Sequence, residues 1–323
     1  MWKLILKFAV SAALIWIIFS EIDTQALGAQ LARLEVLPVV LAALVLWATS
    51  LIAAWRWRAV IGNMMPAGSK LPRFLRVYQI LWIGLFFNQT LPSAAGGDAM
   101  RMWLVRRSGL GNAAAINSVL IDRISALGGV ILLVAVSFPL IAGRIDDDAG
   151  VAAIWILLAG CTAAIVLAMV LDRIPLPRRV HEFRIVKGIR LLSTDLRGVM
   201  TGRANAVPII AASIVIQIMV AAMVYGLGVS LGMPIRLLDC IALMPIVILI
   251  TMVPISIAGW GVREGAMVAA FGYVGLSPVS ALSLSLLFGF INLAISLPGG
   301  IIWLLQRERA AKMPDRGEHR PRP

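Results

Sequence analysis

Apolar positions along this chain come in blocks. Six blocks approach or exceed the ~20 residues an α-helix needs to cross a hydrocarbon core. They are roughly 3–20, 37–55, 117–141, 151–171, 206–231 and 280–304. Two more, 77–91 and 239–253, are shorter, and each runs into a Pro/Gly-rich break before a short apolar helix resumes. Lipid offers the backbone no hydrogen bonds, so runs of this length predict helices that satisfy themselves. The expected fold class is an all-α polytopic membrane protein with about six full spans.

Composition strengthens that reading. The chain has 323 residues, 60% of them hydrophobic and only 14% charged, and a mean hydropathy of +0.93. Soluble domains are nearer half apolar and a quarter charged. The N-terminal "MWKLILKFAVSAALIWIIFSEID" has two lysines before an apolar run, as a signal peptide does. The run is long and no small-x-small cleavage site follows, so an uncleaved first span is expected. Cys161 and Cys240 both fall in apolar runs and read as small buried hydrophobes.

The net charge of +13 changes the picture from spans to topology. Nucleic acid is not the expected partner, because the basic residues sit in short loops between apolar runs and not on a polar domain. Suppose that segments 77–105 and 239–275 enter and leave on one face. Then 23 of the 29 Lys and Arg residues fall on one side. Three (Arg33, Arg144 and Arg236) fall on the other, and three (Arg101, Arg123 and Arg263) lie at membrane depth. In this tally Arg56 belongs to the basic loop 56–76. If 77–91 crossed fully, the loop 172–205, with eight basic residues, would face outward, against the positive-inside rule. The expectation is therefore two oppositely oriented re-entrant helical hairpins, both termini cytoplasmic, in the inner (cytoplasmic) membrane. A transmembrane domain would cover 1–305, followed by a basic, disordered tail at 306–323. The loop 172–205 spaces Val180, Phe183, Val186, Ile189 and Leu192 at near-helical intervals among its basic residues. That spacing suits an interfacial helix on the anionic inner leaflet.

The two breaks resemble each other. With Pro92 of "LPSAAGGDAMRMWLVRRSGL" set on Pro254 of "VPISIAGWGVREGAMVAAFGYVGLS", Gly97 meets Gly259 and Arg101 meets Arg263. Gly96 and Gly261 also fall in the breaks, and each break carries an acid, Asp98 or Glu264. Paired interrupted segments in the two halves of a membrane protein point to an inverted repeat with its site at the repeat interface. Proline withholds a donor, and glycine permits positive φ and close backbone approach, as a re-entrant turn requires. Each restarting helix presents free N–H groups, and an arginine on its first turns adds charge, so two opposed termini suit an anion near the midplane.

Asp122 and Arg123 add a second acid–base pair in "INSVLIDRISALGG". Adjacent on a helix, they point ~100° apart. Expected partners are Arg101 or Arg263 for Asp122, and Asp98 or Glu264 for Arg123. Intramembrane charges default to substrate paths, and a structural ion-pair network is the other reading. Asn88, Gln89, Gln217 and Asn292 read as interhelical hydrogen bonds. The only histidines, His181 and His319, lie in the basic loop and the tail, which disfavours a Ser–His protease within the membrane. Arg101 and Arg123 would keep Asp98 and Asp122 ionised, against an aspartyl dyad. No metal motif, Walker loop or Rossmann loop occurs, so no cofactor is expected.

At "NQTLPSAAGGDAMRMWLVRRSG" and "VPISIAGWGVREGAMVAAFGYVGLS", with the Asp122–Arg123 pair, the sequence resembles the lysylphosphatidylglycerol synthase transmembrane family over nearly its whole length. This is the flippase-like domain of the multiple peptide resistance factor, here in stand-alone form. The resemblance implies translocation of a phospholipid or lipid-linked headgroup between leaflets. No aminoacyl-transfer domain follows the last span, so no enzyme activity is expected. Asp98, Arg101, Asp122, Arg123, Arg263 and Glu264 would line a central polar cavity, the arginines holding the lipid phosphate. The alternative is a non-transporting accessory or scaffold protein for a lipid- or glycan-modifying enzyme. Either could work as a homodimer or beside an enzyme partner.

Overall fold

The computed structural model describes residues 16, 20, 23–32, 34–65, 68–91, 96–174, 183–252 and 259–311. Pro92, Pro254, the expected span at 3–20 (apart from Trp16 and Ser20), both histidines and the tail beyond 311 lie outside them. Among the described residues the chain is helical with no strand. Twelve α-helices follow one another among the described residues from Thr24 onward: α1 (Thr24–Leu31), α2 (Val36–Met64), α3 (Phe74–Thr90), α4 (Gly96–Arg107), α5 (Asn112–Ser137) and α6 (Pro139–Ala142). They continue with α7 (Asp148–Val170), α8 (Arg184–Thr201), α9 (Arg203–Ser230), α10 (Leu237–Thr251), α11 (Val262–Gly272) and α12 (Pro278–Ala311).

Among the described residues, five helical stretches are long and apolar enough to cross a membrane: Val36–Met64, Asn112–Ser137, Asp148–Arg173, Ala206–Ser230 and Pro278–Gln306. They correspond to five of the six expected spans, with shifted ends. The expected 37–55 span continues nine residues further, because a helix keeps its backbone bonds once its side chains reach the headgroups. The expected 117–141 span breaks at Phe138, since Pro139 cannot continue the ladder and instead opens α6 at its first position. The last helix runs to Ala311, so the expected tail begins as helix.

Helices α2, α3, α5, α9 and α12 pack together around the bundle's interior. One apolar cluster joins α5, α9, α10 and α11 through residues such as Val134, Val224, Leu243 and Met267. A second joins α2, α3 and α4 through Trp57, Ile61, Ile80 and Val105. The long helices keep apolar residues exposed, including Leu44, Trp47, Val136, Ile156 and Ile301, as a lipid-facing belt does.

The two short apolar helices each pair with the helix after the break. Helix α3 packs along α4, and α10 packs along α11. A Cβ built on Gly97 would lie 2.0 Å from the Gly84 carbonyl oxygen, so only glycine permits the α3–α4 approach. The start of α3 also meets the end of α4, where Arg76 Nε donates to Ser108 Oγ at 3.5 Å. On the other pair, Arg144 holds Asp239 near the start of α10 at 2.6 Å, and Tyr273, just past α11, donates to Asp147 at 2.9 Å. Both ends of α10–α11 thus return to the short segment 144–147.

Candidate functional site

Five charged side chains from three elements form one continuous network. Helix α5 contributes Asp122 and Arg123, α4 contributes Asp98 and Arg101, and α2 contributes Arg56. Asp122 takes a hydrogen bond from Arg101 Nη2 at 2.7 Å on one carboxylate oxygen and from Arg56 Nε at 2.9 Å on the other. Asp98 is gripped by Arg123 through Nε at 3.0 Å and Nη2 at 2.9 Å, and Arg101 Nη1 reaches it at 3.4 Å. The order Arg56–Asp122–Arg101–Asp98–Arg123 alternates in sign along its length.

The divergence of Asp122 and Arg123 around α5 sends them to different partners, as expected of adjacent helical residues. Each partner is one of the two its sequence position suggested: Arg101 for Asp122, Asp98 for Arg123. Arg101 is fixed further by the face of Trp57, 4.1 Å from the guanidinium carbon to the ring centroid. Gly84 makes room for it, because a Cβ there would sit 2.6 Å from Arg101 Cγ.

Arg56 is a correction to the sequence reading. Counted there as a loop charge, it lies inside α2 at 7% exposure, held by Asp122 and by Ser213 Oγ of α9 at 3.0 Å. The apolar run ends just before it, and only the continuation of the helix carries it inward. One sign in the sequence marked it: "WRWR" alternates aromatic and basic residues directly after a charge-free run of 19. Ser213 and Trp57 carried no such sign.

The network borders a cavity of about 280 Å³. Arg56, Arg101, Asp122 and Arg123 line it, with Thr49 and Ser50 of α2, Asn88 and Gln89 of α3, and Asn292 and Ser296 of α12. Arg56, Arg101 and Asp122 are almost fully covered, whereas the Arg123 side chain is 42% exposed. The cavity therefore runs from a buried charged floor to an arginine at its mouth. Arg56 lies eight residues from the end of α2 and Asp122 ten from the start of α5, about 12 and 15 Å along those helices.

Arg263 and Glu264 stand apart, and neither is among the described residues that line this cavity. Arg263 bonds its own neighbour, Nε to Glu264 Oε1 at 3.0 Å, and Ser285 Oγ donates to the same oxygen at 3.2 Å. The other Glu264 oxygen accepts the Gly261 N–H at 2.6 Å and closes the start of α11. Trp260 stacks on the guanidinium at 4.5 Å, and Gly289 leaves the space it fills. Among the described residues, then, one expected site resolves into two clusters, a five-membered network and a self-contained pair.

The glycines divide by role. Gly259 and Gly261 have φ of +82° and +84°, the left-handed backbone that the break before α11 needs. Gly96 and Gly97 instead open α4 as helix and serve close approach, and Asn88 Oδ1 caps the Gly97 N–H at 3.0 Å. Asn88 is the interhelical bond expected of it. Asn292 bonds within its own helix, to Phe288, and Gln217 Oε1 has no partner among the described residues.

Residues 4–300 match the family model described as the lysylphosphatidylglycerol synthase TM region. The chain belongs to that family. No curated protein matches it. Membership, with the apolar helices, makes it a multi-pass membrane protein of a lipid-related family, and the charged network lies inside the matched region.

Proposed function

We propose that the chain is a lipid flippase or transporter that admits the phosphate-bearing headgroup of a phospholipid, or of a lipid-linked precursor, to the cavity between α2, α3, α5 and α12. One observation carries this reading. The network holds three guanidinium groups against two carboxylates, and every described ionic partner of those five groups lies within it. A surplus positive charge beside a cavity in a helix bundle is costly unless an anion joins it. A phosphodiester, singly charged, balances the sum. Arg123 at the mouth meets the headgroup first, and Arg101 and Arg56 hold it deeper. Asp98 and Asp122 keep the guanidinium forks oriented while the ligand is away. The chain moves its ligand and makes or breaks no covalent bond.

The meeting of Arg76 with Ser108, and of both α10–α11 ends with segment 144–147, supports two re-entrant hairpins entering from opposite faces. The Pro/Gly breaks at matched spacing support an inverted repeat. In that topology the basic loops face the cytoplasm and both termini lie there, in the inner membrane. Helix α8 supports contact with the anionic leaflet. Its stripe Ile185–Ile189–Leu192–Leu196–Val199 buries Leu196 and Val199 in the bundle and leaves Ile185 77% exposed beside Lys187.

The test is reconstitution into vesicles with labelled phosphatidylglycerol. Arg56→Ala and Arg101→Ala should slow leaflet exchange roughly ten- to hundredfold, the scale of one charged hydrogen bond lost. If wild type and both variants exchange lipid equally, the reading fails and the accessory role takes its place.

A further inference from the structure

A second cavity lies outside the charged network, on the opposite side of α2. It measures about 270 Å³ and is lined by Trp55, Arg58, Ala59, Gly62 and Asn63, with Leu71 from the following loop. The five α2 residues are spaced i, i+3, i+4, i+7 and i+8, one stripe along the helix, while Arg56, Trp57, Val60 and Ile61 turn inward and are buried. Ala59 and Gly62 keep the floor low. A Cβ on Gly62 would only just touch Leu71, at 3.6 Å.

The chemistry of the pocket centres on Arg58. Its Nε donates to the Pro72 carbonyl at 2.9 Å, which ties the side chain to the loop. Neither of its terminal nitrogens has a hydrogen bond or ion pair with any described residue, and Arg58 appears in none of the described salt bridges. A guanidinium anchored at Nε and open at both Nη atoms presents the fork that a phosphate accepts. Exposed Lys70 and Arg73 flank Pro72 and add positive charge on the same side.

Depth decides what kind of phosphate. Val36–Trp55 is a charge-free run of 20 helical residues, about 30 Å of rise, one hydrocarbon thickness. Trp55, 44% exposed, closes that run at the position of an interfacial aromatic, and Arg58 lies one turn beyond it, at headgroup level.

We infer that the Trp55–Arg58–Gly62 pocket is a rim site for the phosphate of an anionic phospholipid of the surrounding leaflet, separate from the cavity lined by Arg101. The site goes beyond the transport reading and stands if that reading fails, because it needs no passage through the bundle.

The experiment uses the full chain in lipid nanodiscs with phosphatidylglycerol carrying a photoreactive diazirine on its headgroup. The readout is the yield of cross-link mapped to residues 55–71. Arg58→Ala should cut that yield about fivefold, the effect of one basic residue at an anionic surface. Gly62→Leu, which fills the floor and keeps the charge, should cut it similarly. Arg101→Ala should leave it unchanged, which separates this site from the transport cavity. Unchanged yield in Arg58→Ala or in Gly62→Leu overturns the inference, and so does equal labelling by diazirine-phosphatidylcholine. Loss of labelling on adding millimolar glycerol 1-phosphate also overturns it, since the pocket would then take a soluble phosphate.

Discussion

Asp122 is where the network is most exposed to a single change. Among the described residues it is the sole carboxylate bonded to Arg56, and it shares Arg101 with Asp98. Truncation would leave the covered Arg56 guanidinium without a counter-ion and Arg101 with only its longer contact to Asp98, a situation that costs about 3–5 kcal/mol. Asp122→Ala should therefore lower stability by about that amount in reversible unfolding from detergent, and Asp122→Asn, which keeps the shape and one acceptor oxygen, should cost less. Equal stability of Asp122→Ala and wild type would mean the pairs carry no structural weight. The residue scale also marks how far reading outward from sequence can go. Asp98, Arg101, Asp122 and Arg123 announce themselves as charges among apolar neighbours. Arg56 sits one residue past the edge of an apolar run, and side-chain pattern alone does not reveal that α2 continues for eight more residues.

The short helices are held by small, separable devices. The α3–α4 pair depends on Gly84 and Gly97, where backbone and the Arg101 stem occupy the space of a side chain. The far end of α11 is tied by Tyr273 to Asp147. There the carboxyl of Asp147 is held below its ordinary range, first by the Gly150 backbone N–H and then by the Tyr273 hydroxyl. The Tyr273 hydroxyl is correspondingly held above its own range, chiefly by the same bond. A carboxyl whose folded pKa is depressed adds stability above its unfolded pKa and loses it as pH falls through the folded value. The tie should thus persist through neutral pH and weaken in the acid range below the ordinary carboxylate pKa. Tyr273→Phe should raise the Asp147 titration midpoint toward the ordinary value, measured by carbonyl chemical shift against pH. A midpoint that does not move would show that Tyr273 contributes nothing there. The spacing of prolines and glycines foretold a break before α4 and before α11. Which glycine bends the chain and which admits a neighbour depends on the helix packed opposite.

At the scale of the molecule, topology is the property that charge counting and packing address together. If α3–α4 and α10–α11 both return to the face they leave, single cysteines at Lys70 and Ser108 should react with an impermeant thiol reagent from one side of the membrane. Asp146 and Ser277, both exposed, should react from the other. Labelling of Lys70 and Ser108 from opposite sides would mean that the pair crosses. Moving Arg56 from loop to interior changes the loop tally by one and leaves the large excess on the basic face intact.

Composition and block length by themselves determined that this is a helical membrane protein, because the hydrocarbon core sets both the required length and the near-exclusion of charge. The loops' basic residues carried the orientation argument for the same reason: the rule acts on short connecting segments whatever they fold against. Only the tertiary structure decided which charges meet. Asp122 and Arg101 are 21 residues apart and Arg56 and Asp122 are 66 apart, and no local spacing encodes such contacts. It also decided that Arg263 closes on its own neighbour Glu264, since the space for its guanidinium is set by Trp260, Ser285 and Gly289 around it. Helix formation follows from each segment's own backbone and solvent, whereas the pairing of buried charge follows from how the segments pack.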